Sequence, residues 1–450
     1  MTLFAGITTR TVATQRLSVG VLEREGDDAR TPDEHVVVFV HGNVSSSLFW
    51  QQAMLDLPPE ARAIAIDLRG FGSTETLAVD ATRGLRDFSD DVRATLDALG
   101  IGSAHLVGWS MGGGVVMQYA IDHGARSLTL VSPVSPYGFG GTRRDGSRLS
   151  SDDAGVGGGG ANPDFVARLA AGDTSADAPT SPRNVFRGPY VSPEYTTTHE
   201  DEWVASMLTT STAPGNYPGD AVASENWPGF AAGGTGVLNT MAPKYHNVAG
   251  IVDLAEKPPI LWIHGTADAI VSDASFFDIN YLGKLGVIPG WPGEDIAPAQ
   301  QMITQTREVL DAYAAAGGSV TELALDGAGH SDARGGRKAV RKCARDTDAL
   351  SHAAHECTEL GVAAVCEGEL VPHLTNGPAE QVEVFGRGPL IAASADIGIA
   401  EGKHGDAAAG EGHQQLHAGE RQLLPVVNQH NAQRRQCAKH SDVARGGGIT

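Results

Sequence analysis

Ser110 stands in the run Gly108-Trp-Ser-Met-Gly-Gly-Gly114, with a glycine two places before it and another two places after. A serine hydroxyl attacks a carbonyl only when its oxygen is exposed, a base takes its proton and donors wait for the oxyanion. A sharp strand-to-helix corner exposes the oxygen and crowds the backbone, so Gly108 and Gly112 mark positions where a side chain would not fit. A helix starting at Met111 aims its N-terminal dipole and the Met111 N–H at the developing charge. The second donor is expected from the loop ending Val36-Val-Val-Phe-Val-His-Gly-Asn43, with the Asn43 N–H as candidate and His41 shaping the loop rather than serving as base.

Base and acid follow downstream. Leu323-Ala-Leu-Asp-Gly-Ala-Gly-His330 places a glycine-flanked histidine after an apolar run, as a loop-borne base requires. Ile260-Leu-Trp-Ile-His-Gly-Thr-Ala-Asp268 ends a second such run just before a carboxylate, which would hold the imidazole tautomer and stabilise the imidazolium. Asp273 is a rival for that role. The other site for an acid, Ser132-Pro133-Val134, has no carboxylate, which favours Asp268. Ser110, Asp268 and His330 then fall in the chain order Ser, Asp, His.

These residues need a sheet to carry them. Apolar runs at 16–22, 36–40, 63–66, 104–107 and 127–131 alternate with helical patterns at 85–99 and 111–123, a rhythm that predicts an α/β fold with a mostly parallel sheet flanked by helices. From Pro133 to Glu256 the rhythm stops, and only 200–210, around Trp203 and Met207, reads as a good helix. Strand patterns return at 259–263 and 319–325, separated by a helix expected over 297–315. The expected organisation is a core in two parts, 1–132 and 257–331, with 133–256 inserted as a lid over the C-terminal edge of the sheet, where open α/β sheets bind ligands. Trp109, Tyr137, Phe139, Trp203 and Met207 are the candidates for an apolar substrate pocket.

His41-Gly42-Asn43, Asp67-Leu-Arg-Gly-Phe-Gly-Ser73, Gly108-Trp-Ser-Met-Gly112, His264-Gly-Thr-Ala-Asp268 and Gly329-His330 resemble, in order, the motifs of the α/β-hydrolase superfamily. The first two are similar to pieces of epoxide hydrolases and haloalkane dehalogenases, but those families use an aspartate nucleophile where this chain has Ser110. Gly-Trp-Ser-Met-Gly-Gly is more similar to serine esterases, lipases, lactonases and carbon–carbon hydrolases. The resemblance implies cleavage of a small to medium carboxylic ester through an acyl-enzyme, without metal or cofactor. Carbon–carbon or lactone hydrolysis by the same triad is the alternative, and a hydrolase-fold binding protein without turnover is a third reading.

The formal net charge of −21 over 450 residues argues against nucleic acid and anionic membrane surfaces as partners. No basic start followed by an apolar run and no stretch of about 18 apolar residues occurs, so the expectation is a cytoplasmic protein acting on a small molecule. Residues 332–450 differ in kind, with no Trp or Tyr, one Phe, all four cysteines, and 13 Lys and Arg against 15 Asp and Glu. Little hydrophobic periodicity remains there, and a low-order tail is expected, with a reading-frame shift near codon 332 favoured over a genuine appended segment. His352, His355, Cys357 and Cys366 fit no standard zinc spacing.

Overall fold

The computed structural model describes residues 2–27 and 29–331. The expectations for 332–450 lie outside the described residues. Strands β1 (Ile7–Ala13) and β2 (Ser18–Arg24) form a hairpin, followed by β3 (Val36–Val40), α1 (Gln51–Asp56), β4 (Arg62–Ile66), α2 (Arg86–Ala98), β5 (His105–Trp109), α3 (Met111–His123) and β6 (Ser127–Val131). Residues 133–256 then contribute α4 (Pro163–Ala170), α5 (Pro182–Val185), α6 (Glu200–Met207) and the short pair β7 (Ala221–Ala223) and β8 (Phe230–Ala232). The chain returns to the sheet through β9 (Ile260–Gly265), α7 (Ile279–Lys284), α8 (Met302–Ala315) and β10 (Val320–Leu325).

Eight strands make one sheet in the order β1-β2-β4-β3-β5-β6-β9-β10, antiparallel only at β1/β2 and β2/β4. Every residue of β3 and β4 is buried, which is why these strands read as continuous apolar runs rather than alternating ones. The first strand was not legible as such. It lies on an edge and buries only Ile7 and Val12, so its ladder to β2 holds it more than its hydrophobicity does. Helix α8 begins five residues later than its pattern suggests, where Asp273 accepts from the first-turn Ile303 N and Thr304 N.

The aspartate of the Asp67-Leu-Arg-Gly-Phe-Gly motif ties two loops together. Its carboxylate accepts from Ser47 N and Ser73 N, each at 2.8 Å, and a Cβ at Gly72 would sit 2.0 Å from Asp67 Cγ. His41 is fully buried; its Nε2 accepts from Leu68 N at 3.0 Å, so Nδ1 carries the proton and donates to Gly42 O at 2.7 Å. Burial lowers the pKa of this imidazole, which is a neutral brace between the two loops.

Between β5 and α3 the backbone turns at Ser110, which adopts φ 56° and ψ −120°. A left-handed φ is costly for a residue with a Cβ and persists only where the surroundings enforce it. Here they do, since a Cβ at Gly108 would lie 2.3 Å from Gly112 O, and one at Gly112 would lie 2.4 Å from Val40 O and 2.5 Å from His41 O. Gly112→Ala should therefore cost about 2 kcal/mol or more in urea unfolding. Gly250→Ala, whose Cβ would meet nothing within 4 Å, should stay within about 0.5 kcal/mol of the parent.

Candidate active site

Ser110, His330, Asn43 and Phe139 line one cavity of about 150 Å³. His330 is 2% exposed, and its Nδ1 lies 2.8 Å from Asp268 Oδ2. The other carboxylate oxygen of Asp268 accepts from Ile270 N at 2.8 Å and Val271 N at 2.9 Å, which fixes the side chain toward the imidazole. Asp273, the rival acid, is committed elsewhere: it accepts from Ile303 N, Thr304 N and Thr304 Oγ1, in the first turn of α8.

The loop carrying Asn43 passes against the serine so closely that a Cβ at Gly42 would lie 2.8 Å from Ser110 Cβ. Asn43 lines the cavity, and its Oδ1 is buried with no hydrogen-bond partner among the described residues. Met111 opens α3, where the first N–H groups have no intrahelical acceptor.

Of the expected pocket residues, only Phe139 lines the cavity with Ser110. Trp109 points the other way: its Nε1 donates to His330 O at 2.9 Å, and its ring stacks on Phe49 at 5.1 Å. Trp109 and Trp203 border a separate cavity of about 70 Å³ that reaches His330 and Ser331. Met207 is fully buried in the core, and Tyr137 packs over Gly146.

Tyr190, which sequence reasoning passed over, ties the Asn43 loop to the loop that carries His330. Its hydroxyl donates to Asn43 O at 3.0 Å and Val44 O at 3.3 Å. Its carbonyl accepts from Ser331 N at 2.7 Å and Ser331 Oγ at 2.9 Å. Its ring meets Trp109 at 5.8 Å and His330 at 6.2 Å, both edge-on. Burial, with Tyr217 nearby, pushes the Tyr190 hydroxyl well above the ordinary phenol value, so it remains a donor. The only local signal is Gly188-Pro189 ahead of it, which marks a turn and says nothing of a partner.

The sequence profile described as the alpha/beta hydrolase fold matches residues 35–275. Among curated relatives, the chain is 38% identical over 120 residues to the dihydrolipoyllysine-residue acetyltransferase component of the acetoin cleaving system of Cupriavidus necator, covering 26% of this chain and 29% of that protein. It is 32% identical over 108 residues to a 2-hydroxy-6-oxononadienedioate/2-hydroxy-6-oxononatrienedioate hydrolase of Comamonas testosteroni, covering 23% and 37%. These matches thus span roughly a third of each relative's length. A solved esterase from Exiguobacterium antarcticum aligns over 76% of this chain and 100% of its own, at 15% identity and a TM-score of 0.46. With more than half of its residues inside the matched region and the serine turn, strand order and loops described above, the chain belongs to the α/β hydrolase fold family.

Proposed function

We propose that this hydrolase cleaves a small to medium carboxylic ester, with Ser110 as nucleophile, His330 as general base and then acid, and Asp268 orienting the imidazole. The observation that carries the reading is the buried 2.8 Å contact between His330 Nδ1 and Asp268 Oδ2 beside a serine held in left-handed backbone, with serine and imidazole opening on one cavity. Asp268 keeps the proton on Nδ1, so Nε2 can accept the serine proton as Oγ attacks the carbonyl carbon. The Asn43 and Met111 N–H groups receive the oxyanion. Collapse expels the alcohol, protonated by His330, and water repeats the sequence on the acyl-enzyme. No metal or cofactor is needed for these steps.

The segment 133–256 acts as a lid in this reading. It supplies Phe139, Phe165, Tyr190, Tyr217 and Met241 to the cavity wall, so acyl preference is set there. A second reading, carbon–carbon bond hydrolysis with the same triad, is favoured by the name of the Comamonas relative, and also by that of a 2-hydroxymuconate semialdehyde hydrolase of a Pseudomonas species, 38% identical over 98 residues. Turnover of a vinylogous 1,5-diketone in preference to simple esters would decide for it.

Ser110→Ala should abolish both labelling by a fluorophosphonate and hydrolysis of p-nitrophenyl butyrate, with a loss on the order of 10⁴-fold or more. Retention of a tenth of the activity would exclude Ser110 as nucleophile. His330→Ala should be as damaging and the double variant scarcely worse, because the two act as one unit. Asp268→Asn should hurt less than either, and a crippled Asp273→Asn beside a mild Asp268→Asn would reverse the assignment of the acid.

Tyr190→Phe keeps the ring and removes the donor to the Asn43 and Val44 carbonyls. It should lower kcat on the order of tenfold for every acyl length while leaving KM within about twofold, as expected when one hydrogen bond that positions an oxyanion loop is lost. A change confined to KM or to one chain length would place Tyr190 in substrate binding alone.

A further inference from the structure

Among the described residues, Tyr217 holds the one hydroxyl in the cavity wall that neither the fold nor the proposed chemistry uses. The residue is 6% exposed and lines the same cavity as Ser110 and His330. Its backbone is fixed on both sides, by Tyr217 N donating to Ser211 O at 3.1 Å and Leu238 N donating to Pro218 O at 2.9 Å. Its ring is held edge-on by Phe165 at 6.4 Å and 90°. Yet among the described residues its Oη has no hydrogen-bond partner, and it is absent from the polar atoms that protein seals off completely, which include Asn43 Oδ1. A hydroxyl without a protein partner, on a side chain that lines the cavity, is available to a molecule bound there.

A buried hydroxyl without a partner costs free energy, and native structures rarely keep one that nothing satisfies. Burial raises the Tyr217 pKa above the ordinary phenol value, so the group stays an O–H donor at working pH. Apolar side chains such as Val134, Phe165, Leu238, Met241 and Ile279 make up much of the remaining wall. Tyr217 shares this cavity with Asn43, Ser110 and His330, so a molecule bound against the serine lies within the same walls as the unused donor.

We propose that Tyr217 is a specificity-determining residue, whose hydroxyl donates to an acceptor oxygen on the substrate in addition to the scissile ester, so that the enzyme prefers oxo- or alkoxy-substituted esters over plain alkyl ones. The proposal rests on the ester reading above and deepens it. A site that hydrogen-bonds one substrate oxygen discriminates against the analogue lacking it, because the protein donor is then left unpaired.

Two matched pairs test this, one for each side of the ester: ethyl 4-oxopentanoate against ethyl 4-methylpentanoate, and 2-methoxyethyl butanoate against butyl butanoate. The parent enzyme should favour the oxygenated member of at least one pair on the order of tenfold in kcat/KM, as expected for one neutral hydrogen bond. Tyr217→Phe, which differs by one oxygen, should erase that preference, read as the ratio of the two kcat/KM values within a pair. Absence of preference in both pairs, or a preference that survives Tyr217→Phe, overturns the proposal. Calorimetric binding of 4-oxopentanamide and 4-methylpentanamide, which need no turnover, separates this idea from the reaction itself. Tighter binding of the oxo compound that is lost in Tyr217→Phe supports the role even if no ester is cleaved, and equal binding of the two amides together with no preference for the 2-methoxyethyl ester overturns it even if esters are cleaved.

Discussion

The site depends on two backbones passing closer than side chains allow. The loop after β3 lies against the turn between β5 and α3 with glycine on both sides of the contact, at Gly42 and Gly112, and a Cβ at either would collide with main-chain atoms or with Ser110 itself. Close approach explains the left-handed Ser110, because a relaxed turn there would separate the strand from the loop that faces it. It also explains why the proposed oxyanion donors belong to two different segments, since only a side-chain-free contact brings the Asn43 loop and the start of α3 to the same point. The bracing behind it is polar and buried: Asp67 holds Ser47 and Ser73, while His41 links Gly42 to Leu68.

What could be read from residue order is what short-range physics determines. The strand Val36–Val40 is apolar throughout because both its faces are covered, so its existence and its ending at His41 were both legible. Gly108 and Gly112 were legible because a sharp strand-to-helix corner at a serine excludes Cβ atoms two positions away on either side. Asp268 required a choice, and the structure shows the physical difference between it and Asp273, one carboxylate facing an imidazole and the other a helix terminus.

What could not be read is what tertiary contact decides. Trp109 neighbours the serine in sequence, yet strand alternation turns its ring to the far side, where it holds the His330 carbonyl. Tyr190 bonds a residue 147 positions away, and no local pattern encodes such a partner. Helix α4 had a local signal in Asn162-Pro163, a capping side chain that accepts from Asp164 N and Phe165 N followed by proline at the first helical position, but its short length hid it within a glycine-rich stretch.

Tyr190 also bears on how such enzymes diversify. Here residues 133–256 engage the core loops at several points, Ser206 with Ser46 and Thr209 with Gly72 among them, and at Tyr190 the hydroxyl holds the Asn43 loop while the carbonyl holds Ser331, next to the histidine. Recombination that swapped residues 133–256 for another family member's segment would thus remove a fastener between two core loops along with part of the cavity wall. A functional chimera would have to inherit that tyrosine, or its equivalent, together with the new walls.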